Sequence, residues 1–251
     1  MQDQLPTFII TALLATLRMG PALAFAPPFT LIRIPASARV VLASGLAACV
    51  PELGGAITPT LDTGGLVSAA ASELALGVTM ALALQLAFAA IAMAGRALDI
   101  QAGFGLAFLI DPTTRAQTPL IGAVFSYGAA AVFVASGGLY DVIGAFAASF
   151  HAIPLGSSGS PSSLIPISGF LATVTVLSLG LVGLAMTVLF LIDLVVAMLS
   201  RTLPQMNVLV LGFQIKALVT LVLLPVTFGI AGAGIMRILH LAIETMTAGF
   251  D

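Results

Sequence analysis

Few residues in this chain are of a type that does chemistry. Gly156-Ser157-Ser158-Gly159 sets a serine between glycines, the pattern of an intramembrane serine nucleophile, with His240 as the candidate base. Such a nucleophile needs a positioned base and oxyanion donors. The serine lies instead in GSSGSPSS, a low-complexity run that reads as a loop, and His240 follows the last apolar run. His151 and His240 have no neighbours at metal-ligand spacing, and the single Cys49 excludes a disulfide framework or a multi-cysteine metal site within the chain. No catalytic residue, metal or cofactor is therefore assigned. Three ionisable residues remain inside apolar stretches: Arg18, Glu73 and Asp193. Charge at membrane depth is costly, so such groups face protein, water or an opposite charge. They suit a structural ion pair, Arg18 with Glu73 or with Asp193, or else the ion or proton sites of a transporter.

The elements that must carry these residues are apolar. Of the 251 residues 60 % are hydrophobic and only 7 % charged, against about 45–50 % and 25 % in a soluble domain. Mean hydropathy is +1.19. With 8 basic and 10 acidic residues the chain offers no basic surface for nucleic acid. The stretch FIITALLATL (8–17) resembles a signal h-region, but Asp3, the lack of a basic leader and Arg18 argue that it is retained. Six apolar segments stand out, at about 6–29, 38–52, 65–95, 119–150, 164–200 and 206–236. Their lengths are uneven against the roughly 20 residues a span needs, which predicts hairpins and kinked helices rather than six conventional spans. Gly77, Gly180, Gly183 and Pro225 are candidate bend points. Arg33 and Arg39, Arg96 and Arg115, and Arg201 fall in alternate connections, so the positive-inside rule puts connections one, three and five in the cytoplasm. A six-span path then leaves both termini outside. Ala71, Ala75, Thr79, Ala83 and Ala87 form a small-residue ridge suited to close helix packing.

Two connections are richer than a loop requires. In 95–119, Gly103 and Gly105 flank Phe104, and an apolar patch including Leu106, Phe108, Leu109 and Ile110 runs into Asp111-Pro112. An apolar, glycine-containing stretch between charged flanks suits a segment tucked into a protein cavity, or a re-entrant interfacial one. In 201–216, RTLPQMNVLVLGFQIK, Pro204 ends a helix and the amides of Gln205 and Asn207 are able to satisfy backbone groups freed there. Arg201 and Lys216 flank that break.

Several blocks stand out in order: the Arg18 helix followed by APPF (26–29) and IPASAR (34–39), Glu73-Leu-Ala-Leu-Gly77, AGRALDIQAGFGLAFLIDP (94–112) and RTLPQMNVLVLGFQIK. These blocks resemble the FliR family of flagellar export-gate proteins, whose injectisome relatives are the SctT proteins. The blocks recur in family order over nearly the whole chain, with 53–65 and 156–163 showing nothing diagnostic. The resemblance implies an all-α membrane protein forming one export-gate domain over 1–251, non-enzymatic and without cofactor. It implies assembly with FliP-like and FliQ-like subunits, and with other membrane proteins of the type III export apparatus, around a pore for unfolded substrates. It also implies a place in the bacterial inner membrane at the flagellar basal body, hairpins only partly equivalent to ordinary spans, and the loop around Gly103–Pro112 as a channel plug. By the same resemblance Arg201, Pro204, Gln205, Asn207 and Lys216 look like polar contacts at a helical break near the base of a shared assembly. The cost of charge at membrane depth predicts that Arg18, Glu73 and Asp193 pair within the chain or with a neighbouring subunit. A stand-alone small-molecule or ion transporter is the other reading, and co-purification separates the two.

Overall fold

The structure, a computed structural model, describes residues 4–31, 34–49, 63–104, 119–156, 167–202 and 208–248. Among the described residues the regular structure is entirely helical. The elements are α1 (Gln4–Phe25), α2 (Ala36–Ala48), α3 (Thr63–Ala102), α4 (Leu120–Ala135), α5 (Gly138–Ala152), α6 (Ile167–Thr202) and α7 (Val208–Thr247).

Several boundaries differ from those read in the sequence, and each for a physical reason. The apolar segment 119–150 is two helices with a sharp bend at Ser136-Gly137. Gly137 has φ +85°, a left-handed conformation that side chains rarely adopt, and the ring of Phe133 fills the space a Cβ on Gly138 would take. Gly77, Gly180, Gly183 and Pro225 lie inside unbroken helices. The third connection begins at Gly103, not at Gly95, because α3 goes on as an amphipathic helix once the continuous apolar run ends. Leu98, Asp99 and Ala102 are buried there, and Arg96 and Ile100 are exposed. At the other end α7 runs on to Thr247, with Ile238, Leu239, Ala242 and Met246 buried and Arg237, His240 and Glu244 exposed. His240 is thus an exposed helical residue. Arg39 and Arg201 are helical too. Four helices are long and apolar enough to cross a membrane, or five if the bent α4–α5 pair counts as one, and α2 is too short. Among the described residues this replaces the six-span path.

The chain divides into two compact units. The first comprises residues 1–87, 133–171 and 239–251, and the second residues 88–132 and 172–238. In the first, α1 packs on α2, and Leu14, Ala15, Met19, Ala22 and Leu23 of α1 are buried. Arg39 of α2 donates to the carbonyl of Ala24, one of the last-turn acceptors of α1 that the helix itself leaves unused. In the second, the buried side chains include Ile91, Leu98, Ile121, Phe125, Leu189 and Ile235, with the rings of Phe125 and Phe228 4.7 Å apart. Of the small-residue ridge on α3, Ala83 and Ala87 are buried, whereas Ala71 and Ala75 are exposed. A spacing of four drifts by about 40° per step, so one straight ridge cannot stay on one contact face for five repeats.

Candidate functional site

In the first unit the site is built on Arg18. Its side chain is fully buried, the largest such group among the described residues. Nε and Nη2 donate to the two carboxylate oxygens of Glu73 at 2.5 and 2.9 Å, a bidentate fork. Nη1 donates to the carbonyls of Ser149 and Ile153, both at 2.9 Å, at the C-terminal end of α5. Those carbonyls carry the negative end of the helix dipole, so the guanidinium complements them in charge as well as in hydrogen bonding. The ring of Phe150 lies 4.7 Å from the guanidinium carbon. Glu73, 1 % exposed, also accepts from the N–H of Gly156 at 3.2 Å. The cluster joins α1, α3 and the end of α5, and a buried pair is tolerated only when its remaining valences are met in this way.

One turn along α3, Gly77 faces the backbone of the same arginine. Pro21 has no N–H, so the carbonyl of Leu17 lacks its usual partner four residues on. A Cβ on Gly77 would lie 2.7 Å from that oxygen and closer still to the carbonyl oxygen of Arg18. Only a glycine lets α3 approach here. The block Glu73-Leu-Ala-Leu-Gly77 thus makes one crossing: the acid takes the side chain of Arg18, and the glycine admits its backbone.

The second unit holds a separate polar set. Asp193 of α6 pairs with Lys216 of α7 and accepts from Gln101 Nε2 at 3.1 Å, and Lys216 Nζ donates to the carbonyl of Gln101 at 3.3 Å. Asp193 is therefore not the partner of Arg18, and Lys216 lies within α7 rather than at the break before it. Nearby on α3, Asp99 is buried, and its two oxygens accept from the N–H groups of Ile121 and Gly122 at 2.9 and 3.0 Å. Gly95, one turn before it, meets Gly122 so closely that a Cβ would lie 2.7 Å from the Gly122 Cα.

Of the other residues singled out in the sequence, Arg201 is exposed in the last turn of α6, and Pro204, Gln205 and Asn207 lie outside the described residues. In the loop expected to form the plug, Gly103 has φ +88° against the ring of Phe213, and Phe104 meets that ring edge-on at 6.4 Å. Gly105, Leu106, Phe108, Leu109, Ile110, Asp111 and Pro112 lie outside the described residues, as do Ser157 and Ser158. Sequence reading missed Asp99, Gln101, Phe150 and Phe213. Asp99 alone carried a signal, an acid one helical turn after a glycine on a helix otherwise rich in apolar residues.

A wholly helical described fold, with four or five apolar helices able to span lipid and ionisable side chains paired inside it, is that of an all-α membrane protein. The family described as bacterial export proteins, family 1, matches residues 9–241, and the chain belongs to it. Among its relatives is the flagellar biosynthetic protein FliR of Bacillus subtilis, 30 % identical over 69 % of this chain and 69 % of its own length. The FliR of Pectobacterium carotovorum is 29 % identical, over 57 % of this chain and 55 % of its own. The surface presentation of antigens protein SpaR of Shigella flexneri is 32 % identical, over 59 % and 58 %. The matched region thus spans between 55 % and 69 % of the length of these curated relatives.

Proposed function

We propose that this chain is a structural subunit of the bacterial flagellar type III protein export gate. With FliP-like and FliQ-like subunits it forms the pore through which unfolded flagellar proteins leave the cell, in the inner membrane at the flagellar basal body. The family match across 9–241 carries the proposal. The polar chemistry agrees with it: Arg18 is bound to Glu73 and Asp193 to Lys216, so these groups serve as internal fastenings rather than as ion sites. The apolar faces also agree. The candidate span of α6 is 17 % buried and that of α7 22 %, against 56 % for α3, so Phe190, Leu194, Met198, Leu221 and Val222 are free to meet lipid or neighbouring subunits. Co-purification in mild detergent tests the reading. Recovery with FliP-like and FliQ-like chains is expected, and a solitary monomer that binds a small solute would overturn it.

Within that gate, residues 103–112 act as a displaceable seal. Phe104, Leu106, Phe108, Leu109 and Ile110 are apolar enough to exclude water from a narrow pore. Deleting part of 106–110 should leave the complex assembled but admit ions or small dyes into cells that are not exporting. Loss of assembly would make the segment structural, and tight membranes would place the seal on another subunit.

A further inference from the structure

The described residues include both ends of the stretch 105–118, and both are held from the last turn of α3. At the outgoing end, Lys216 donates to the carbonyl of Gln101, in the last turn of α3, while the Gln101 amide holds Asp193. Gly103 and Phe104 then lie against Phe213. At the returning end, α4 begins after Pro119, which has no side-chain oxygen to accept from the first N–H groups of the helix. The acceptor comes instead from another helix. Asp99 is 3 % exposed and spends one oxygen on Ile121 and the other on Gly122. A carboxylate that accepts from two successive N–H groups fixes more than distance. Slipping α4 by one residue would move it about 1.5 Å along its axis and turn it by about 100°, which takes both donors out of line. Gly95 and Gly122 bring the two backbones close enough for this short side chain to reach.

We propose that Asp99 is a positioning residue, fixing the register in which the chain re-enters α4, while the Gln101–Asp193–Lys216 set fixes its exit from α3. The role rests on the reading of 103–112 as a seal, for a seal works only if its two ends stay put. Removing the carboxylate should loosen the resting barrier without preventing assembly. The experiment compares Asp99→Ala, the milder Asp99→Asn and the 106–110 deletion in the full complex. It measures recovered complex, secretion of an export substrate, and dye or ion entry into cells that are not exporting. Asn is nearly isosteric but offers one acceptor oxygen, and it turns an amine toward a backbone donor. The expected result is assembled complex in both point variants, with resting entry several-fold above wild type and a raised ratio of leak to secretion. Tight membranes in the point variants beside a leaking deletion would overturn the role of Asp99 and leave the seal standing. Tight membranes in all three would overturn both. Loss of assembly even in Asp99→Asn would make Asp99 a structural cap alone, and the proposal would fail.

Discussion

Glu73 meets Arg18 with both oxygens and still accepts from the N–H of Gly156, so its loss leaves the buried guanidinium without its counter-charge. Glu73→Ala should destabilise the protein by about 3–5 kcal/mol, the usual cost of an uncompensated buried charge. Thermal unfolding in detergent and the yield of assembled complex would show it. Ser149 is the control. Its hydroxyl sits 3.4 Å from Arg18, at the edge of bonding range, and instead donates to the carbonyl of Phe146 at 2.7 Å. The contact with Arg18 that counts is made by the Ser149 backbone, so Ser149→Ala should cost no more than about 1 kcal/mol. Equal losses in the two variants would mean that the guanidinium is held some other way. The pairing of Arg18 with Glu73 was one of two readable from the sequence, because opposite charges in apolar stretches seek each other. That Asp193 turns to Lys216 was not readable, since Lys216 reads in sequence as the flank of a break.

On the scale of the element, α3 uses the same device twice, an acid and a glycine one turn apart. Glu73 and Gly77 receive α1, and Gly95 and Asp99 receive α4. In each case the glycine brings backbones together and the carboxylate ties the crossing. Gly77→Ala would push a methyl to 2.7 Å from the Leu17 oxygen, a backbone atom that cannot swing aside. It should cost about 1–3 kcal/mol, as overpacking does, and lower the melting temperature in detergent while Gly180→Ala, with open space around it, does not. A Gly77→Ala protein as stable as wild type would mean that α1 and α3 are not in close contact. The sequence showed a small-residue ridge and the ELALG block but not why the glycine is there. The reason is the backbone of Leu17 and Arg18, whose carbonyl oxygens stand where a Cβ would go, on a helix far away in the chain. Gly137 was missed for a related cause: the apolar run continues through it, and hydropathy does not sense a left-handed backbone.

For the molecule as a whole, the helical class and the uneven lengths were legible in hydropathy, because apolar runs mark what lipid or protein must cover. The amphipathic continuations of α3 and α7 were not, because exposed charges such as Arg96 and Arg237 end an apolar run without ending a helix. The break between α6 and α7 bears on assembly. If Gln205 and Asn207 are contacts to partner subunits, the double change Gln205→Ala, Asn207→Ala should weaken recruitment by about 1–3 kcal/mol for each lost buried hydrogen bond. Pull-down of the FliP-like chain measures it, and wild-type recovery with normal motility would reduce the segment to an ordinary connection. The Arg18–Glu73 pair has a last consequence, in time rather than in space. Ribosomes make α1 before α3, so the arginine is synthesised while its acid is still unmade. A lone arginine at the centre of a span costs about 2.5–3.5 kcal/mol on insertion, and α1 has the lowest hydropathy of the four candidate spans, at 1.7. Of the four candidate spans, the one that carries Arg18 is thus the least able to settle in lipid alone. As a span, α1 gains from the later arrival of α3, because Glu73 makes the two helices a neutral couple.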